Sequence, residues 1–130
     1  MSAVNIPGMP QIVRENQLVP VMNDIEHETL LPDYADLANK VSSRTVAVLY
    51  AQLWGVRNDL GDLRRFCDKH GLALIDDAAE SFEGLSHTGS KYADMTFYSF
   101  GIIKTAAAFG GAVTIFRGSA NELAEMKRII

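Results

Sequence analysis

Two β-rich apolar runs separated by one amphipathic segment constrain this chain most. Thr45–Ala51 (TVAVLYA) is continuously apolar or β-branched, as in a strand covered on both faces. Leu60, Leu63, Phe66 and Cys67 then recur at helical spacing. Asn58 stands where a helix cap belongs, and Gly71 where a helix ends. Leu72–Ile75 is the next apolar run. Strand, helix and strand in direct succession form the unit of a parallel sheet. The sequence therefore predicts an α/β fold, a mostly parallel sheet with helices on both faces.

The flanks extend the pattern. Met9, Ile12 and Val13 predict a helix within 9–17, with Pro10 suited to its first turn. Leu18–Met22 reads as a short strand. Pro32–Asp33 marks a helix start, and Tyr34, Leu37, Ala38 and Val41 make its apolar face. Met95–Phe100 and Ala112–Phe116 read as further β runs. Ser119-Ala-Asn-Glu122 is a capping box, and Leu123, Met126 and Ile130 give the helix after it an apolar face. No repeat, low-complexity tract or linker interrupts the chain, so its 130 residues are one domain or part of one.

Composition removes several function classes. Hydrophobic residues make up 48% and charged ones 22%, enough for a packed core and too apolar for disorder. The net charge of −4 argues against a nucleic-acid partner. The basic pairs Arg64–Arg65 and Lys127–Arg128 read as solvated helix faces. No apolar run approaches the roughly 20 residues of a membrane-spanning helix. The N-terminus lacks the basic start and apolar core of a signal peptide. The lone Cys67 cannot form an internal disulfide and reads as a buried structural thiol; this suits a cytoplasmic location. His27, His70 and His87 show no metal-ligand spacing and read as exposed, so no metal is expected. Gly84–Lys91 resembles a phosphate loop but fails on spacing, since the lysine must follow the second glycine directly; a surface loop is the expectation.

The residues that carry chemistry lie in Leu72–Gly111. The Leu72 run stops on Asp76 and Asp77, and open α/β sheets bind ligands at the carboxyl ends of their strands. The two aspartates point to opposite faces if the strand continues through them. Lys104 lies among Ile102, Ile103 and Ala106–Ala108. If that segment is buried, desolvation lowers the pKa of the amine, as a nucleophile requires. The plainer readings are an aspartate that caps a helix and a lysine that snorkels to the surface. On the residues alone the two readings weigh about equally.

The combination of motifs weighs further. Ile75-Asp-Asp77-Ala-Ala-Glu80, Tyr98-Ser99-Phe100-Gly-Ile-Ile-Lys104 and Gly110-Gly111-Ala-Val together resemble the DegT/StrS family of sugar aminotransferases. Upstream, Val19-Pro-Val21, Asp24-Ile25, Arg44-Thr45-Val-Ala-Val and Leu53-Trp-Gly55 are similar to further family segments. The resemblance implies the aspartate aminotransferase fold and pyridoxal 5′-phosphate as cofactor. It implies transamination of a nucleotide-linked keto sugar, with glutamate as the usual donor, in a homodimer. By position it makes Lys104 the catalytic lysine that bonds the cofactor as an imine. Asp77 would keep the pyridine nitrogen protonated. Ser99 would bind the phosphate, and Glu80 would stand near the ring oxygen. The chain departs from the family pattern at Glu80, where glutamine is usual, at Ile6, where a stacking aromatic is usual, and at Gln52, where histidine is common. The family's N-terminal phosphate loop and small C-terminal domain have no counterpart here. The chain therefore reads as an internal piece of the large domain, inactive alone. A non-catalytic regulatory relative and a truncated product are the rival expectations.

Overall fold

The computed structural model describes residues 1–127. In chain order it contains α1 (Gly8–Glu15), α2 (Tyr34–Lys40), β1 (Ala47–Ala51), a 3-10 turn (Leu53–Gly55), α3 (Gly61–His70), β2 (Ala73–Asp77), β3 (Met95–Ser99), β4 (Ala112–Phe116) and α4 (Ala120–Lys127). The strands form one sheet in the order β1-β2-β3-β4. β1, β2 and β3 run parallel, and β4 returns antiparallel beside β3. The expected α/β architecture is thus present.

The two sheet faces differ. Val48, Tyr50, Leu74, Thr96 and Tyr98 share one face and are buried. α2 and α3 cover part of it through Leu37, Leu60, Leu63 and Cys67. α3 forms because its apolar residues recur on one stripe, and it ends where Gly71 takes a φ of 65°, a left-handed conformation that costs glycine little. Burial pushes the Cys67 thiol up to about 11, which keeps it inert, as a structural thiol should be. The opposite face carries Leu49, Ile75, Met95 and Phe97, all half-buried. There α1 brings Val13 to a groove that Leu49 and Ile75 also line.

Several local expectations need correction. Asn58 does not cap α3: its amide donates to the Thr29 carbonyl and the Tyr50 hydroxyl, while the Asp59 carboxylate accepts from Gly61 N–H. Ala38 is exposed, and α2 stops before Val41. Leu18–Met22 is not a strand, because no neighbouring strand pairs with it among the described residues; Val19 is 84% exposed. His87 is half-buried rather than exposed, held against Arg57. The capping box of α4 is present, since Glu122 accepts from Ser119 N–H and Ser119 Oγ accepts from Glu122 N–H. Ile130 and the side chain of Met126 lie outside the described residues.

Candidate active site

β2 runs through both aspartates, so their side chains part to opposite faces. Asp76 turns into the core, where it is 1% exposed. It accepts from Gln52 Nε2 at 2.9 Å, Ser90 N–H at 3.2 Å and Thr96 Oγ1 at 3.3 Å. Those donors satisfy it, and its role is to tie three segments together. Asp77 takes the other face at the carboxyl end of the strand. One of its oxygens accepts from Ala79 N–H at 3.1 Å. No donor among the described residues reaches the other. Burial raises the pKa of Asp77, opposed by the Ala79 N–H and by the positive charge of Lys104.

Ser99 joins Asp77 through register. Asp77 pairs with Phe97, so Ser99 lies two residues further along the same face of β3. Lys104 follows in a turn in which its N–H donates to the Gly101 carbonyl. Its side chain is 14% exposed, with Nζ 3.8 Å from Glu80 Oε1. The expected apolar setting differs in kind. Ile102 and Ile103 are 77% and 86% exposed, so the segment turns its apolar residues outward and tucks the lysine inward, beside a carboxylate.

Glu80 is fixed from two directions. Its Oε2 accepts from Trp54 N–H at 3.0 Å, and its carbonyl accepts from Thr105 Oγ1 at 3.1 Å. Reading the sequence did not find Trp54 as its partner. The signal lay in Leu53-Trp-Gly55 after β1, a tight turn in which Trp54 holds a φ of 53° and presents its N–H to Glu80. A Cβ on Gly55, whose φ is 75°, would stand 3.2 Å from the Glu80 carbonyl. Asp77, Glu80 and Lys104 therefore meet at the carboxyl edge of the sheet, with Ser99 on the face that Asp77 occupies. Chemically the edge offers a fixed amine, a carboxylate with a free oxygen, and a hydroxyl.

The phosphate-loop likeness of Gly84–Lys91 also resolves. Ser90 N–H serves Asp76, and Gly89 packs on Thr96 so closely that a Cβ would meet its Cγ2 at 2.3 Å. The segment is the expected surface loop, with Leu85 95% exposed, anchored to the sheet through Gly89 and Ser90. Among the described residues no group of three or more His, Cys, Asp or Glu could hold a metal, and no helix is long and apolar enough to cross a membrane.

The sequence profile of the DegT/DnrJ/EryC1/StrS aminotransferase family matches residues 1–129. The chain belongs to this family. GDP-perosamine synthase of Vibrio cholerae is 32% identical over 120 residues, covering 86% of this chain and 32% of that protein. The crystal structure of DesI in the presence of its TDP-sugar product superposes with a TM-score of 0.82 at 30% identity, over 98% of this chain and 33% of that one. The structure of ntda from Bacillus subtilis with bound cofactor PMP gives a TM-score of 0.79 at 25% identity, over 92% and 27% of the two chains. The chain thus spans about a third of the length of the relatives it matches.

Proposed function

We propose that this chain carries the cofactor-binding edge of a pyridoxal-phosphate-dependent aminotransferase acting on a nucleotide-linked keto sugar, with glutamate as amino donor. One observation supports the proposal: at the carboxyl edge of a parallel sheet stand a buried Asp77, one oxygen of which no donor among the described residues reaches, and an inward-tucked Lys104 whose charge bears on it. The donor set fits the cofactor. An aldehyde needs an amine, a ring nitrogen needs an anion, and a phosphate needs hydroxyl and N–H donors.

When bound, pyridoxal phosphate supplies a carbonyl carbon that accepts an amino nitrogen and a ring that accepts an electron pair. Asp77 would offer its free oxygen to the ring N–H, and its burial would shield that contact from water and strengthen it. Ser99 would donate its hydroxyl to the phosphate. Lys104 would supply the amine that holds the cofactor and, when free, would be the base that carries a proton between the donor's Cα and C4′ of the cofactor. Glu80 stands where it can pair with Lys104 whenever the amine is free and charged. The rest of the active protein we assign to a homodimer in the cytoplasm, with this chain as part of the large domain.

A second reading is a regulatory relative that binds the cofactor without turning over. The carboxylate of Glu80 beside the lysine favours it. A half-reaction assay separates the two. Glutamate added to the cofactor-loaded whole protein that carries this chain should shift its visible absorbance and release 2-oxoglutarate in stoichiometric amount. Cofactor binding without 2-oxoglutarate would support the regulatory reading.

A further inference from the structure

Beyond this reaction, we infer that the pocket beside Tyr98, on the sheet face opposite Asp77, is a second binding site, for a small uncharged polyhydroxylated molecule. The pocket has a volume of about 190 Å³. A water molecule takes about 30 Å³ of liquid, so the space exceeds what one or two structural waters need. It falls short of the roughly 300 Å³ at which sites for drug-sized ligands begin. The ligand it suits has only a handful of carbon atoms.

Tyr98 marks the floor. Asp76 pairs with Thr96 in the sheet, and Tyr98 follows Thr96 by two residues, so all three share one face. Tyr98 is 1% exposed, and its hydroxyl is buried with no hydrogen-bond partner among the described residues. Leaving a buried hydroxyl unpaired is costly, and most such groups in proteins find a partner. Phe82 meets the Tyr98 ring edge-on at 5.3 Å and has no polar atom in its side chain to offer. Asp76 and Arg57, the two charges that act most on the hydroxyl, line the same pocket. The unpaired hydroxyl is therefore a contact that the pocket keeps for an occupant.

The wall selects against an ion. Two cations, Arg57 and Lys91, and two carboxylates, Asp59 and Asp76, line the pocket, which leaves no net formal charge with His87 neutral. Arg57 is also engaged by Glu83 and donates to His87 Nε2 at 2.8 Å. Lys91 Nζ sits over the Tyr92 ring, 5.0 Å from its centroid. An anion would meet Asp76, and a cation would meet the Arg57 guanidinium. What the wall leaves open is a mixture of donor and acceptor positions. The Tyr98 hydroxyl can serve as either. Asp76 Oδ2 accepts from both Ser90 N–H and Thr96 Oγ1, but Oδ1 accepts from Gln52 Nε2 alone and keeps one lone pair. Hydroxyl groups both donate and accept, so a polyol matches this wall without bringing charge into it.

Saturation-transfer NMR with erythritol, a short uncharged polyol, tests the inference on the whole protein that carries this chain. Saturable binding is expected at about millimolar concentration. It should persist in Lys104→Arg, because Lys104 stands with Asp77 and not with Tyr98. It should weaken about fivefold or more in Tyr98→Phe. Without erythritol, Tyr98→Phe should melt at the parent's temperature or above it, since the change removes a buried hydroxyl that has no partner. A lower melting temperature, or failure of that variant to fold, would give the hydroxyl a structural task and overturn the inference. The absence of saturable binding would leave the pocket to water and overturn it too. Equal affinity in Tyr98→Phe, or loss of binding in Lys104→Arg, would place the polyol elsewhere. Displacement of erythritol by equimolar phosphate or glycine would make the pocket a site for an ion or a zwitterion, against the inference.

Discussion

Asp76 and Asp77 are neighbours in sequence with opposite fates. Asp76 is satisfied by three donors, whereas Asp77 is buried with one oxygen that no donor among the described residues reaches. Asp76→Ala leaves the Gln52, Thr96 and Ser90 donors without their acceptor. It should cost about 1–3 kcal/mol per buried group left unpaired, measured by urea denaturation. Asp77→Asn should act the other way. Because the folded pKa of Asp77 lies above its unfolded value, ionising it opposes folding, and stability falls as pH rises through that window. The amide variant should therefore be more stable than the ligand-free parent at neutral pH, while losing cofactor affinity. The alternation of faces along a strand was legible from Asp76-Asp77 alone. Which aspartate would find donors was not, because Gln52, Ser90 and Thr96 come from distant segments.

At the scale of elements, α2 and the 84–92 loop give the clearest tests. Asp33 caps α2 by accepting from Ala35 N–H and Asp36 N–H, so Asp33→Ala should cost about 1 kcal/mol. The Lys40 ammonium, then the Asp24 N–H and Asn23 amide, hold Asp36 down at about 2. Its contribution to stability is complete above the ordinary aspartate range and is lost as pH falls from about 4 toward 2. Asp36→Asn should flatten the acid side of the stability profile over that window. In the loop, Gly89 has a φ of 76° and no room for a Cβ beside Thr96. Gly89→Ala should destabilise by about 1–3 kcal/mol or more, through overpacking and backbone strain together. The Asp33 helix start and the α3 stripe were legible because their signals are local. The Asn58 assignment failed because two long-range acceptors, Thr29 and Tyr50, outcompeted the local cap.

For the molecule as a whole, the β1–α3–β2 unit was legible because each of its strands is covered by residues close in sequence. The antiparallel return of β4 and the unpaired Leu18–Met22 run were not, since strand pairing depends on partners distant in the chain. The sheet edge that gathers Asp77, Ser99, Glu80 and Lys104 follows from topology, which brings the ends of β2 and β3 together. The apolar surroundings expected for Lys104 were misjudged, because composition near a lysine does not say which way the segment turns. The central claim is that Lys104 is the amine that binds the cofactor. The direct measurement is borohydride reduction of the whole protein that carries this chain, incubated with pyridoxal phosphate, followed by peptide mapping. The phosphopyridoxyl label should fall on Lys104 and vanish from that peptide in Lys104→Arg. Label on Lys40, Lys69 or Lys91, with Lys104 unmodified, would contradict the assignment.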